Sequence, residues 1–592
     1  MSLTKVSYSM IAGEVVSILD FGADSTGVVD CGPAIVAAIA SLPSGGSIFF
    51  PSGIYSLTNT SNAVCSTNNI NFIGAGASSI IRATGTFTTT ETPLLSISAE
   101  NCSVKNLSFD NDGASLTTIS APTGGTTFNY KNNVVAITVS KKNCSIESCF
   151  ITGYQYGITA STTSLLTVNN NNITSCGKGF AAFYIVDGVQ FINNICKNVG
   201  PTGGVTFPSC KNIIVTSNNI FAAGSTGINP GGSSGAFNII NAVITSNIVY
   251  AQNAIVCENG GFNITISDNQ CYVTELSPNG TGIGVNTNVA GSGNISYITI
   301  TNNIIRAAGQ ESLPNGATSA SLDLIYAEGI KVSRGAGTNS PLYNVRGINI
   351  IGNQIYNATN GIAVSDGEGT FVLRDVIIND NLVFACAQGI GCSQIGNIIA
   401  KNNTLRGYGA TLQSGTVGFN LASVVGLFDS NTTMSFFNST YVGGHYALSN
   451  STITIVNPTA IAAPSSTFGN LLTQPASTPN NTISYFVNGG YGGVLASGTT
   501  LTTTLNNQYY DVSGTASIFN MTLPFGSNGN VQYGTVIYLK CLSTCTFKQT
   551  SGGNPYEFAM VGGADVTASA NQLFGFLLQS DQRFHQIFTS IS

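Results

Sequence analysis

Only 25 of the 592 residues are Asp or Glu, so the carboxylates inside the repetitive middle of the chain can be weighed one by one. Glu258, Glu328, Asp366 and Glu368 stand out, in the segments VCENG, AEGIKVSR and VSDGEG. Two carboxyl groups about 5 to 9.5 Å apart, one protonated and one ionised, are what hydrolysis of a glycosidic bond requires. Aligning the recurrent Gly-Ile phrases sets Glu258 level with Ser333 and Ser365, and Arg334 over Asp366 and Gln394. On that alignment Glu328, Asp366 and Glu368 are candidate catalytic groups, and Glu258, Lys331, Arg334 and Tyr326 are candidate substrate-binding groups. Two other outcomes stay open. One is an Arg334–Asp366 ion pair with solvated acids at the turns, and the other is sugar binding without cleavage. His445 and His585, the two histidines of the chain, lie outside the repeats. No metal-ligand spacing is present, and no cofactor is expected.

The elements that must position these groups are short and periodic. Asn381 in VIINDNLV has counterparts at Asn172, Asn194, Asn219, Asn247, Asn269, Asn303, Asn353, Asn403 and Asn431, with 22 residues between Asn381 and Asn403 and between Asn247 and Asn269. Larger gaps read as loops added to a constant unit. The Gly-Ile phrase runs in step at Gly157, Gly227, Gly282, Gly329, Gly361 and Gly389, with Gly-Phe at Gly179 and Gly418. Each unit holds short strands of alternating apolar residues separated by turn residues, with no helical period between them. Such a unit cannot bury its own apolar side, whereas a stack of them can, so the period predicts an all-β solenoid, a right-handed parallel β-helix. Asn at the corners is expected to form amide ladders that satisfy the backbone.

The domain boundaries expected are an extended arm over residues 1–18, a cap over 19–64, the β-helix over 65–450, a Pro, Ser and Thr-rich linker over 451–481 and a β-sandwich over 482–592. In the cap, Asp30 is placed to cap a short helix with Pro33 in its first turn and Ile35, Ala38 and Ile39 on one apolar face. The C-terminal strands fall at hairpin spacing.

Composition narrows the function. Charged residues are 7% of the chain, with 19 basic against 25 acidic, so Asn, Ser, Thr and Gly must cover the surface. With a net charge of −6 and no basic run, nucleic acid is excluded as a partner and membrane insertion is not expected. Met1 to Ile18 lacks a signal-peptide pattern. The 14 Cys are scattered over strand positions, as small buried apolar groups would be. Cys541 and Cys545, flanking a tight turn, are the pair most suited to a disulfide. Trp is absent, so any stacking on a sugar falls to Tyr or Phe.

The segments DFGADSTGVVD at 20–30 and GGSIFFPSGIYSL at 45–57 resemble the opening of pectate-lyase-superfamily β-helix proteins. The preceding KVSYSMIAGEVVSIL resembles the front of bacteriophage tailspikes. That resemblance implies a pectin-lyase-like solenoid in a homotrimeric receptor-binding protein. It also implies residues 1–18 joined to phage tail or baseplate proteins and a bacterial surface polysaccharide, capsule or lipopolysaccharide, as ligand. Such a protein resides on the virion, is made in the host cytoplasm and acts at the host surface. The C-terminal order YDVSGTASI, GTVIYL and a last aromatic strand is similar to the terminal domain of phage tail fibres, which implies trimerisation or glycan contact. The Asn-Thr-Asp, Asp-Asp and Gly-His-Gly motifs of polygalacturonase-like hydrolases are missing. A non-enzymatic adhesin is therefore the alternative, and a secreted polysaccharide lyase a third reading.

Overall fold

The computed structural model describes residues 14–589 except 59–62, 86–91, 112–115, 120–127, 184–185, 200–202, 209, 223–225, 232–238, 259–260, 274–279, 288–294, 308–326, 335–344, 367–372, 408–416, 435–445, 450, 457–458, 462–471, 474–481, 487–489, 503–506, 523–535, 551–555 and 579–582. The chain divides into two compact units, 1–372 and 373–592.

The first unit is a right-handed parallel β-helix whose coils each give one strand to each of three sheets. One coil serves as the pattern. Asn253–Glu258 belongs to sheet two, Gly261–Ser267 to sheet one and Gln270–Val273 to sheet three. The next coil places Thr281–Thr287, Ile295–Thr301 and Ile304–Ala307 beside them, all parallel. Strict register sends like residues to like positions. In sheet one Ile213, Ala242, Ile264, Ile298 and Ile348 form one column and Val215, Ile244, Ile266, Ile300 and Ile350 another. All ten are buried. Alternating apolar residues thus become continuous aliphatic stacks, which is where burial stabilises the unit.

The Gly-Ile phrase has a steric cause. In sheet two a Cβ on Gly157 would lie 2.8 Å from the carbonyl oxygen of Gly179, one on Gly282 2.6 Å from that of Gly329, and one on Gly329 2.4 Å from that of Gly361. Successive coils approach so closely there that no side chain fits.

Between sheets one and three the corner takes two residues. The first has left-handed backbone, as in Ser246 (φ 57°), Asp268 (φ 57°) and Asn302 (φ 55°), and the second is a buried Asn. Asn247 is typical. Its Oδ1 accepts from the backbone N–H of Asn218 at 3.0 Å and from Asn218 Nδ2 at 2.9 Å, while its Nδ2 donates to Val215 O and Asn269 Oδ1, both at 2.9 Å. The ladder runs Asn171, Asn194, Asn218, Asn247, Asn269, Asn303 and Asn353. Two markers expected from the sequence, Asn172 and Asn219, are each one residue off. They begin sheet-three strands and face outward, and the neighbours Asn171 and Asn218 are the rungs. Within a run of asparagines only the backbone turn selects which one goes inside.

At the N-terminal end the helix Gly32–Ser41 buries Ala34, Ile35, Ala38 and Ile39 and lies against the strand Ala63–Cys65. Asp30 Oδ1 accepts from Gly32 N–H at 3.1 Å, although Cys31 is the capping residue. The expected arm is shorter than 1–18, because Val15–Ser17 already pairs with Ser47–Phe49 through Val16 on the buried side, while 1–13 lie outside the described residues. Asp24 ties the entry loop. It accepts from Thr26 N–H, Thr26 Oγ1, Val28 N–H and Val29 N–H at 2.7 to 2.9 Å, and these bonds, the Thr26 hydroxyl foremost, pull its pKa from 3.8 down to about 2.

In the second unit Leu373–Asn379, Gln388–Lys401, Val417–Asp429, Thr452–Val456 and Thr482–Phe486 stack in parallel, and Asn381, Asn403 and Asn431 form a second buried ladder. The segment expected to be a linker, 451–481, therefore carries coil strands instead. Ile453 and Ile455 point inward, and the prolines of the segment lie outside the described residues. The remaining strands form a six-stranded sheet with two- and three-stranded sheets around Leu501, Tyr510, Leu539, Phe547, Phe558, Phe574, Phe576 and Phe584. Hairpin spacing holds only for its last members. Val536–Cys541, Leu573–Leu578 and Phe584–Thr589 are antiparallel, whereas Gly490–Ala496, Asn507–Ser513 and Val536–Cys541 pair in parallel. All 14 cysteines are buried thiols, with the Sγ atoms of Cys541 and Cys545 2.9 Å apart. No helix among the described residues is long and apolar enough to cross a membrane.

Two expectations follow from these contacts. Asn247→Leu strips partners from Asn218, Val215 and Asn269, all buried, and should cost at least about 3 kcal/mol in urea unfolding, while Asn263→Ala at an exposed corner should cost less than about 1 kcal/mol. The depressed pKa of Asp24 adds stability that is complete above pH 3.8 and lost as pH falls through about 2. Hydrogen exchange at the Val28 and Val29 amides should rise across that window, and Asp24→Asn should abolish the dependence.

Candidate functional site

Sheet two is the face at which chain length varies. Two residues suffice between sheets one and three, but the segments 308–326 and 335–344 enter and leave the single strand Glu328–Arg334. Binding groups concentrate where a rigid strand is flanked by such insertions.

Register fixes where each expected residue stands. Glu258, Asn286, Ser333 and Ser365 share one column on four successive strands, and Arg334 pairs with Asp366. Lys331 follows Gly284 and Val256 in a second column, and its Nζ meets Glu328 Oε2 at 2.8 Å. The structure does not bring Glu328 and Asp366 together. They occupy adjacent strands, but Glu328 pairs with Asn360 at one end and Asp366 with Arg334 at the other. Six residue steps of about 3.3 Å separate the two ends, about 20 Å in all, well beyond the range for a hydrolytic carboxylate pair. Asp366 is moreover buried, at 2% exposure. Tyr326 and Glu368 lie outside the described residues, as does the side chain of Arg334.

What gathers on this face is a set of acceptors around Glu258. Asn229, one coil earlier, donates from Nδ2 to Glu258 Oε2 at 3.3 Å, and Asn286 stands beside Glu258 one coil later. The Oδ1 atoms of Asn229 and Asn286 are both buried with no donor among the described residues. Gly231 lets the chain press against this group, since a Cβ there would come 2.5 Å from Asn229 Oδ1 and 2.9 Å from Glu258 Cβ. Glu258 accepts from the Asn229 amide nitrogen, and the remaining acceptors of this group suit a ligand rich in hydroxyl donors. Lys331 stands two strands on and two residues back from Glu258, about 12 Å away. Asn229 and Asn286 escaped the sequence reading, although the alignment that levelled Glu258 with Ser333 also passes through Asn286. Among the described residues no group of three or more His, Cys, Asp or Glu is placed to hold a metal ion.

Residues 15–206 match the family described as rhamnogalacturonase A/epimerase, pectate lyase-like. Comparison with curated proteins returns no significant match. Among solved structures, the chain is similar to an exopolygalacturonase from Thermotoga maritima, with 15% identity, a TM-score of 0.39 and coverage of 66% of this chain and 89% of that one. It is also similar to the Azotobacter vinelandii mannuronan C-5 epimerase AlgE4 A-module, with 15% identity, a TM-score of 0.36 and coverage of 80% and 100%. A third is the Dettilon tailspike protein, with 15% identity, a TM-score of 0.39 and coverage of 62% and 65%.

The geometry predicts unequal effects within the candidate set. Lys331→Met removes only a half-exposed ion pair with Glu328 and should shift the thermal midpoint by less than about 1 °C, while Asn229→Leu should free the Glu258 side chain, read as loss of its fixed position in a crystal structure of the variant.

Proposed function

We propose that this protein binds polysaccharide along sheet two, as the receptor-binding tailspike of a bacteriophage. The acceptor cluster of Asn229, Glu258 and Asn286 carries the reading, because it asks for a ligand rich in hydroxyl donors. The match of residues 15–206 to a rhamnogalacturonase and epimerase family supports a polysaccharide as that ligand. The phage setting rests on the resemblance of residues 5–23 to the front of bacteriophage tailspikes. In this reading the chain is a homotrimer on the virion, joined to the phage tail or baseplate through its N-terminal residues, and the ligand is a bacterial capsule or lipopolysaccharide.

Recognition without cleavage is the favoured form, since no two of the described acids on sheet two approach within a hydrolytic separation. A depolymerase reading keeps one foothold. Asp366 ends its strand, and Glu368 follows it two residues later in the sequence.

A panel of purified capsules and lipopolysaccharides tests both readings. Binding by at least one member should weaken about tenfold in Glu258→Gln and in Asn286→Ala, with polymer length unchanged. Binding that ignores both substitutions removes the sheet-two site. Release of oligosaccharides that stops in Asp366→Asn and Glu368→Gln would establish the depolymerase instead. Light scattering should return three times the chain mass.

A further inference from the structure

A groove of about 370 Å³ runs along the corner between sheets one and three, within the size range of small-ligand sites. It lies on a different side of the β-helix from Glu258, three rungs away along the ladder from Asn194 to Asn269. The residues that matter are Phe150 and Ile195 on one wall and Asn106, Asn170, Asn172 and Asn193 along floor and rim. Phe150 is 42% exposed and Ile195 39%, so an aromatic ring and a branched aliphatic chain face solvent two coils apart in one column, with Asn172 between them. Asn106, Ser148, Asn170 and Asn193 are left-handed corner residues on successive coils, with φ of 54°, 54°, 56° and 54°, which turns three amides and one hydroxyl outward at the same place. Asn172 Oδ1 is buried and receives no hydrogen bond from the described residues. None of the residues lining the groove is charged.

We propose that this groove is a second carbohydrate site, specific for a neutral oligosaccharide. Each part of the lining selects for that class. An exposed aromatic face accepts the C–H side of a sugar ring, where its apolar body is buried and its edges stay polar. Amide groups at the coil spacing of about 4.8 Å offer donors and acceptors to successive hydroxyls. The Asn172 oxygen, without a donor among the described residues, is suited to accept from a sugar O–H. Without a Lys or Arg in the lining, an anionic sugar would lose its hydration and gain no counter-charge. The groove therefore holds a neutral stretch of glycan at a distance from sheet two, and the two sites can engage one polymer together, which raises affinity through effective concentration.

The probes are maltohexaose, cellohexaose, mannohexaose and hexagalacturonate, read by saturation-transfer NMR and calorimetry on the full chain. At least one neutral hexamer should bind the wild type and Glu258→Gln equally and bind Phe150→Ala and Asn172→Ala about tenfold more weakly, and hexagalacturonate should not compete. Both substituted side chains face outward, and unchanged thermal melting checks that the variants fold. The groove is overturned if no neutral hexamer binds, if hexagalacturonate displaces one that does, or if Phe150→Ala binds like the wild type. Binding lost in Glu258→Gln yet intact in Phe150→Ala overturns the groove while leaving the sheet-two site standing.

Discussion

A solenoid must return to the same place on every coil, and here a buried amide enforces the return. Each ladder asparagine closes four hydrogen bonds, two to backbone groups of earlier coils and two to asparagines of neighbouring coils. A corner that slipped by one residue would expose one side chain's polar atoms to the aliphatic core and orphan the backbone it had served. The left-handed residue before each rung sets the angle, and Ser, Asp and Asn occupy it because they tolerate that backbone better than bulky residues do. From this single arrangement follow the aliphatic columns of sheet one and the glycine column of sheet two. The fixed spacing between functional groups on neighbouring coils follows as well.

That spacing decides which residues can cooperate. Residues in one column on adjacent strands are about 4.8 Å apart, whereas residues at opposite ends of one strand are four times as far. Glu258 and Asn286 meet the first condition, and Glu328 and Asp366 fall under the second. Proximity in a β-helix is thus a matter of column before coil. A pair of acids on neighbouring coils is no closer than two acids in unrelated loops unless both occupy the same position along their strands.

Much of this was legible from residues alone. The Gly-Ile phrase carried the register, because a close backbone approach admits glycine and little else, and it levelled Glu258 with Ser333 and Ser365. What escaped was whatever the repeat leaves degenerate. In VNNNNI and VTSNNI any of several asparagines could be the rung, and only the turn at Asn170 or Ser217 settles it. The alternation in Ile453 and Ile455 was masked by the prolines and serines around it, so a coil read as a linker. Acids were grouped by coil number, which overlooked the length of the strand between them. Asn229 was hidden because its role depends on Gly231 and on a neighbour 29 residues away.

The scarcity of charge links fold to function. With charged residues at 7%, the chain uses the same side chain for two purposes according to which way the backbone turns it. Asparagine turned inward saturates its hydrogen bonds against other asparagines and the backbone, and it becomes structure. Asparagine turned outward, as at Asn172 or at Asn286, keeps an acceptor that no described residue fills. A neutral amide is poorly suited to attract an ion at long range, yet well suited to exchange hydrogen bonds with hydroxyls at short range, at little desolvation cost compared with a charge. A surface so composed discriminates by the pattern of donors and acceptors and by the few exposed rings, and a polymer of repeating hydroxylated units is the ligand whose periodicity a stack of coils can match.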